Sequence, residues 1–135
     1  SFNTPRAILY TMVRVQDLDR SLRFYCDVLG CPVERELSPE LGLVQLRAGS
    51  ALIDLVDIDS ELGRVGGGPP TPQDNNMDHF CLQIEPQTEE QVRRYLQAHD
   101  IEASPFERRY GAQGYGNSVY LKDPQGNTVE LRNRA

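Results

Sequence analysis

The stretch YTMVRVQDLDRSLRFYCDVLG, residues 10–30, has the pattern of a strand that runs directly into a helix. The segment Ile8–Val15 is rich in apolar and β-branched residues, which predicts a strand. Asp17 or Asp19 then provides a short carboxylate that can cap a helix. Gly30 is predicted to end that helix. Five apolar residues recur at helical spacing and predict one buried stripe: Leu18, Leu22, Tyr25, Val28 and Leu29.

The same order of strand and helix begins again in HFCLQIEPQTEEQVRRYLQAHDI, residues 79–101. Its helix is predicted from about Thr88 to His99, with Val92, Tyr95 and Leu96 on the apolar stripe. A histidine opens this second copy where Tyr10 opens the first.

Three strands are predicted to follow each helix. In the first half they are CPVERE, LGLVQLRAG and SALIDLVDI, with Gly49-Ser50 as a hairpin turn. In the second half IEASPFE predicts a short strand, and SVYLKDPQGNTVELRN predicts a hairpin with its turn at residues 123–126. Each half is therefore predicted to have the order βαβββ.

The segment SELGRVGGGPPTPQDNN, residues 60–76, is predicted to have no regular element because glycine and proline dominate it. It is interpreted as a linker or a mobile lid. We expect one α+β domain, 1–135, made of module 1 at about 6–59 and module 2 at about 77–133. A duplication of this length predicts two similar modules with a concave surface between their sheets.

The composition is that of an ordinary globular protein, with 39% hydrophobic and 25% charged residues. A formal net charge of −6 disfavours nucleic acid and anionic membranes as partners. No apolar run is long enough to span a membrane, and the first ten residues lack the apolar core of a secretory signal. Cys26, Cys31 and Cys81 are an odd number of cysteines, so we expect free, buried thiols and a cytoplasmic location.

The chain resembles the vicinal oxygen chelate superfamily, which includes lactoylglutathione lyase, bleomycin-resistance proteins, fosfomycin-resistance enzymes and extradiol dioxygenases. Two stretches carry the resemblance: the opening YTMVRVQDLDRSLRFYCDVLG and the closing hairpin YLKDPQGNTVELRN. The resemblance covers essentially the whole chain. It implies a glyoxalase-like fold, in which two modules roll into incomplete barrels and form a cup.

The resemblance also implies one divalent metal ion, nickel, zinc, manganese or iron, held by Tyr10, Asp54, His79 and Glu130. The repeat supports this set, because Tyr10 matches His79 and Asp54 matches Glu130. Two positions depart from the family pattern, which has His or Gln in place of Tyr10 and Glu in place of Asp54. A neutral phenol is a poor ligand unless the metal deprotonates it. Glu130 and Asp54 are the implied catalytic carboxylates, with Glu130 as the favoured base.

Five residues are predicted to bind substrate: Arg14, Arg108, Arg109, Tyr110 and Tyr115. Arg14 matches the arginine that holds a glutathione carboxylate in the lyases, whereas Ile58 replaces the asparagine that contacts glutathione there. The others lie in FERRYGAQGYGNSVY, residues 106–120, which resembles the substrate loop of the fosfomycin branch. Arginines there can neutralise an anion and tyrosines can stack on a planar ligand.

We therefore expect a metal-dependent lyase or isomerase that acts on a small oxygenated substrate, with thiol conjugates among the candidates. Two alternatives stay open: a metal-free protein that binds a drug or metabolite, and a fosfomycin-type resistance enzyme. A homodimer is expected, because the open cup would leave four apolar residues partly exposed: Ile8, Met12, Leu43 and Val44.

Overall fold

The computed structural model describes residues 7–69 and 77–134. The chain divides into two compact units: unit 1 ends at Pro69, and unit 2 is the remainder of the chain. The elements of unit 1 are β1 (Tyr10–Val15), α1 (Leu18–Leu22), a π-helix (Arg23–Val28), β2 (Val33–Glu36), β3 (Leu43–Ala48), β4 (Ala51–Asp57) and α2 (Glu61–Arg64). The elements of unit 2 are β5 (His79–Ile84), α3 (Glu89–Gln97), β6 (Glu107–Gly111), β7 (Gly114–Lys122) and β8 (Thr128–Asn133). The predicted α+β class is confirmed.

Each unit contains one open, mixed sheet of four strands, in the order β1-β4-β3-β2 and β5-β8-β7-β6. The first pair of each sheet is parallel and the others are antiparallel. In unit 1, Met12 is paired with Asp54, and in unit 2 Cys81 is paired with Glu130. Asp54 and Glu130 therefore occupy the same place in their sheets, as the repeat predicts.

The apolar core of each unit follows the alternation of side chains along its strands. In unit 1, Val15, Leu46 and Leu55 have no exposed surface, and in unit 2 Val129 has none. The intervening residues lie on the opposite face of the sheet, and this face carries the polar side chains of the candidate site.

The first helix begins as predicted, because the side chain of Asp17 accepts a hydrogen bond from the amide of Arg20. The helical segment ends at Val28, and Gly30 follows its cap with a φ of 79°, in the left-handed region that glycine tolerates. The predicted stripe is only partly right: Tyr25 is fully buried, but Phe24 is buried as well. The wider π-helical turn from residue 23 rotates these side chains away from the 3.6-residue spacing.

The second helix, α3, is capped by Thr88 and Gln91, whose side chains each accept a hydrogen bond from the other's amide. It ends two residues before the predicted His99. Val92 and Leu96 are buried, whereas Tyr95 is 48% exposed and lies beside the ring of His99.

The predicted strand IEASPFE is wrong, since β6 begins only at Glu107. Pro105 has no amide to donate to a neighbouring strand. Ser104 is held instead by two hydrogen bonds to a distant residue: its amide donates to the carbonyl of Tyr120, and its hydroxyl accepts from the amide of Tyr120.

The prediction of no regular element in residues 60–76 is wrong at its start. Glu61–Arg64 forms the short helix α2, because the Ser60 side chain accepts a hydrogen bond from the amide of Gly63. Residues 65–69 contain no helix or strand, as predicted, and residues 70–76 lie outside the described residues. Across the described part of the chain, no helix has both the length and the apolar character needed to cross a membrane.

Candidate functional site

The imidazole of His79 and the carboxylate of Glu130 meet on one face of the unit 2 sheet. Nε2 of His79 lies 3.0 Å from Oε1 of Glu130, and Nδ1 lies 2.7 Å from the carboxylate of Asp78. The ring of Tyr120 stands edge-on to the imidazole, with centroids 5.5 Å apart. The side chain of His79 is 33% exposed, so one side of the pair stays open to a ligand.

The second oxygen of Glu130 is held from the other side. Ser118 Oγ donates to Oε2 at 2.6 Å, and Nη2 of Arg132 donates to the same oxygen at 2.9 Å. Nε of Arg132 also donates to Ser118 Oγ at 3.1 Å, which closes a small network. Because Oε2 has two donors, the carboxylate is oriented with Oε1 towards the imidazole.

These contacts shift the pKa values of the pair in opposite directions. The hydrogen bond to Asp78 and the contact with Glu130 raise the pKa of His79 above its ordinary value, against the effect of partial burial. Burial raises the pKa of Glu130, but the hydrogen bonds from Ser118 and Arg132 outweigh it, so the net pKa is lowered. The site therefore favours an imidazolium facing a carboxylate.

A cysteine lies beside the same carboxylate. Cys81 is paired with Glu130, and although the residue as a whole is exposed, partial desolvation of the thiol, followed by the charge of Glu130, raises its pKa to about 11. The thiol is therefore neutral at neutral pH. All three cysteines are free, but only Cys31 is buried; Cys26 is half-buried and Cys81 is exposed, so the prediction of a buried thiol is wrong for Cys81.

The equivalent face of unit 1 presents a buried carboxylate with one oxygen unused. Asp54 is 2% exposed, and its Oδ2 accepts a hydrogen bond from Gln45 at 3.3 Å. Its Oδ1 is buried and has no hydrogen-bond partner within residues 7–69 and 77–134. A buried carboxylate oxygen without a donor is costly, and a cation would compensate for it. Tyr10 is 57% exposed.

The predicted ligand set stays a prediction, and each unit contributes part of it. The structure brings His79 and Glu130 into contact, and it leaves a free oxygen on Asp54. In the described ranges, no three side chains of the His, Cys, Asp or Glu type form a ready-made metal cluster. Imidazole and carboxylate groups are suitable donors for a borderline divalent cation, so these residues fit the implied metal.

Arg14 makes several contacts within its own unit. Nε and Nη2 donate to the carbonyl of Gly63 at 3.2 and 3.1 Å, and Nη1 donates to the carbonyl of Gly68 at 3.2 Å. Nη2 also contacts the carbonyl of Gly67. The guanidinium therefore ties the end of α2 to β1, and a role in substrate binding stays a prediction. Ile58, which replaces the family's asparagine, is buried.

The predicted substrate loop is the β6–β7 hairpin, so the expectation of an irregular loop is wrong. The fosfomycin-type enzyme stays an alternative prediction. The glycines are compatible with strands here because Gly111 and Gly114 flank a two-residue turn. The guanidinium of Arg108 lies 4.0 Å from the ring centroid of Tyr115, and this ring contacts Tyr110.

Arg109 lies apart from these residues, because neighbouring residues of a strand point to opposite faces. It forms an ion pair with Glu107, and its Nε donates to the hydroxyl of Tyr120 at 3.3 Å. Tyr120 in turn contacts His79. Of the predicted substrate residues in this segment, Arg109 is therefore the one connected to the imidazole.

A cavity of about 380 Å³ opens beside the carboxylate in unit 2. Its lining includes the predicted residues Tyr110, Tyr115 and Glu130. The remaining lining residues are Cys81, Gln83, Gly111, Ala112, Gln113, Gly114, Arg132 and Asn133.

Sequence analysis missed Ser118 and Arg132, which hold Glu130. Their pattern was nevertheless visible: Arg132 follows Glu130 by two positions on the same strand, which places both on one face. Ser118 precedes the predicted turn by five positions and Arg132 follows it by six, so a regular hairpin brings them opposite each other.

The chain belongs to the Glyoxalase/Bleomycin resistance protein/Dioxygenase superfamily, whose family model matches residues 7–131. It is 30% identical over 131 residues to a Synechocystis sp. protein named "Probable lactoylglutathione lyase", and the match covers 92% of each chain. The resemblance inferred from the sequence is thereby confirmed.

Solved structures agree on the fold. A lactoylglutathione lyase from Agrobacterium tumefaciens is 27% identical, with a TM-score of 0.69, and the match covers 96% of this chain and 95% of that one. A protein from the mobile metagenome of V. pseudocholerae matches with a TM-score of 0.77 and covers 100% of this chain and 99% of that one. At 22% identity this second likeness shows the fold alone.

Proposed function

We propose that this protein is a metal-dependent lyase or isomerase that acts on a small oxygenated substrate. His79, Glu130 and Asp54 are the proposed protein ligands of one divalent ion, and Tyr10 occupies the weak fourth position. The observation that carries this proposal is the buried Oδ1 of Asp54, which lacks a donor within the described ranges. Asp54 has the same register position in its sheet as Glu130, so the two equivalent carboxylates are both proposed as metal ligands.

The bound ion would supply Lewis-acid chemistry, which stabilises negative charge on a substrate oxygen. Glu130 is the residue that moves the proton. Its second oxygen, Oε2, is held by Ser118 and Arg132, so the carboxylate keeps its orientation with Oε1 beside the imidazole of His79. The lowered pKa of Glu130 keeps the carboxylate ionised at neutral pH, the form that a metal ligand and a general base both require.

The names of relatives indicate which substrate to test first. The Synechocystis and Agrobacterium proteins are both named as lactoylglutathione lyases, so the adduct of methylglyoxal and glutathione is the first candidate. The buried Ile58 offers no polar group at the place of the family's asparagine, which makes a smaller oxygenated substrate the natural second candidate.

Metal titration of the purified protein tests the proposal directly. Nickel, zinc and manganese should be added to the metal-free wild type and to His79→Ala and Glu130→Ala, with binding followed by calorimetry. We expect one ion per chain in the wild type and none in either variant. His99→Ala is the matched control, because this second histidine lies beside Tyr95 on α3 and should leave binding unchanged. A wild type that binds no metal would overturn the proposal.

A metal-free ligand-binding protein is the second candidate. It is favoured by Tyr10, which replaces an imidazole with an exposed phenol, and by the contact between Arg108 and Tyr115 near the cavity. Stacked aromatic and guanidinium groups suit a planar ligand. This candidate predicts that ligand binding is unaffected by a chelator, whereas turnover by the lyase would be lost.

A further inference from the structure

The side chain of Arg132 occupies space that two glycines of the β6–β7 hairpin leave free. A Cβ atom added to Gly111 would lie 2.0 Å from Nη1 of Arg132. A Cβ atom added to Gly116 would lie 3.2 Å from both Cγ and Cδ of the same side chain. The guanidinium therefore lies across the hairpin backbone, with Nη1 directly against Gly111.

Only part of this guanidinium is used within the chain. Nε donates to Ser118, and Nη2 donates to Glu130 and, at 3.4 Å, to the carbonyl of Tyr110. Nη1 has no hydrogen-bond partner among the residues that the structure describes, although the side chain is only 15% exposed. An arginine that is held on two sides and open on the third is a preorganised donor.

The open nitrogen lies at the wall of the cavity described above, because Gly111 and Arg132 both line it. The volume of about 380 Å³ falls within the usual range for small-molecule sites. Gln83 and Gln113 add amide groups to the lining. The cavity thus combines one positive donor with neutral polar groups, next to the carboxylate of Glu130.

We propose that this cavity binds the carboxylate group of a small organic acid through Nη1 of Arg132. The carboxylate site itself involves residues of unit 2 alone. The further step, that the bound acid is the substrate, rests on the proposed function. Nothing in the sequence comparison with the lyases pointed to Arg132.

The surroundings favour a singly charged anion. Arginine stays protonated at any physiological pH, so its charge is permanent. Glu130 repels any anion in the cavity, and at the same distance its repulsion of a dianion such as phosphate is twice its repulsion of a carboxylate. A neutral amide of the same shape would lack the charge-assisted hydrogen bond.

Binding of benzoate to the full chain, kept metal-free with a chelator, tests the inference, and benzamide serves as the neutral isostere. We expect benzoate to bind at least about tenfold more tightly than benzamide, because charge-assisted hydrogen bonds are stronger than neutral ones. Arg132→Gln should weaken benzoate binding by about tenfold or more. Gly111→Ala keeps the charge of Arg132 but displaces its Nη1. It should therefore also weaken benzoate binding.

Two controls separate this site from general effects. Arg94→Gln removes the same charge from the exposed surface of α3, and Gly68→Ala adds a methyl group where no atom lies within 4 Å. Both should leave benzoate binding unchanged. If Arg132→Gln fails to fold, Gly111→Ala decides the question alone.

Equal binding of benzoate and benzamide, or benzoate binding that neither Arg132→Gln nor Gly111→Ala weakens, would overturn the inference. The proposed function is judged separately by the metal titration. If the protein binds nickel but not benzoate, the carboxylate site is wrong and the lyase proposal stands. If it binds benzoate but not nickel, the carboxylate site stands and the lyase proposal is wrong.

Discussion

Nε2 of His79 lies 3.0 Å from Oε1 of Glu130, across the parallel pairing of β5 and β8. The two residues are not directly paired: His79 is opposite Thr128, and Glu130 is opposite Cys81. The contact is therefore a diagonal one along the same face of the sheet. It places an imidazole nitrogen, a suitable metal ligand, against a carboxylate whose other oxygen is already held.

The stability that the His79–Glu130 pair contributes should decrease both at low pH and at high pH. The pKa of Glu130 is lowered, so its contribution is complete above the ordinary value of 4.5 and is lost as pH falls through the folded pKa. The pKa of His79 is raised, so its contribution is complete below 6.5 and is lost as pH rises through the folded pKa.

We therefore expect His79→Gln to lower the free energy of unfolding most strongly between about pH 5 and pH 6, and much less at pH 9. Urea denaturation of the metal-free protein at several pH values measures this difference. His99→Gln is the matched control. A difference that is constant with pH would mean that the pair is not charged in the folded protein.

Replacing Asp54 by asparagine should have opposite effects with and without metal. The buried Oδ1 has no donor in the described part of the chain, so removal of the charge should raise the metal-free free energy of unfolding by about 1 kcal/mol. The same change should reduce the stabilisation that nickel provides, because a neutral amide is a poorer ligand. Thermal unfolding with a chelator and with nickel measures both effects.

Asp123→Asn provides the contrast for Asp54→Asn. Asp123 is also buried, but its oxygens accept hydrogen bonds from the amide of Gln125 and from the amide and side chain of Asn127. Its replacement should destabilise the protein whether or not metal is present. If Asp54→Asn behaves like Asp123→Asn, Asp54 is a structural residue and the proposed metal site lacks its third ligand.

Arg14→Gln should lower the free energy of unfolding by about 1–3 kcal/mol, since the guanidinium donates to carbonyls at the end of α2. Arg64→Gln is the control, because Arg64 is exposed and its Nε donates one hydrogen bond to the carbonyl of Asp59. Chemical denaturation measures both variants. Unchanged stability together with a weaker affinity for substrate would restore Arg14 to the predicted substrate-binding role.

The sequence predicted the order of elements because the strands and helices have clear periodicities. The cap at Asp17 and the turn at Gly49-Ser50 were predicted from local signals, and the structure contains both. The start of the second predicted helix at about Thr88 is also close to the observed one. Errors arose where hydrogen bonds between distant segments decide the outcome. Ser104 bonds to Tyr120 outside any strand, and glycines of the predicted loop form strands because β7 pairs with β6.

Burial was harder to predict than secondary structure. The expected dimer surface included Leu43 and Val44, which are only 7% and 3% exposed, whereas Ile8 and Met12 are exposed as expected. Single-strand alternation cannot reveal that both faces of β3 are covered at this point. The homodimer stays a prediction, and light scattering at micromolar concentration would test it.

The role of Tyr10 can be resolved by exchanging its ring. Tyr10 begins β1 as His79 begins β5, and its phenol is 57% exposed. A phenol must lose a proton before it becomes a good ligand, so Tyr10→Phe should change metal affinity little. Tyr10→His supplies an imidazole at the same place. It should raise the affinity for nickel by about tenfold or more, since loss of even a residue that only supports a metal ligand typically lowers metal affinity by at least about tenfold.

Calorimetric titration of wild type, Tyr10→Phe and Tyr10→His with nickel gives the answer, and Tyr95→Phe controls for loss of an exposed phenol elsewhere. If the wild type binds no metal and Tyr10→His binds one ion per chain, the natural protein has lost its metal and the ligand-binding candidate is favoured. If Tyr10→Phe abolishes binding, the phenolate is a true ligand. The four predicted positions would then all contribute, and the exposed Tyr10 would have to lie close to the ion in the metal-bound state.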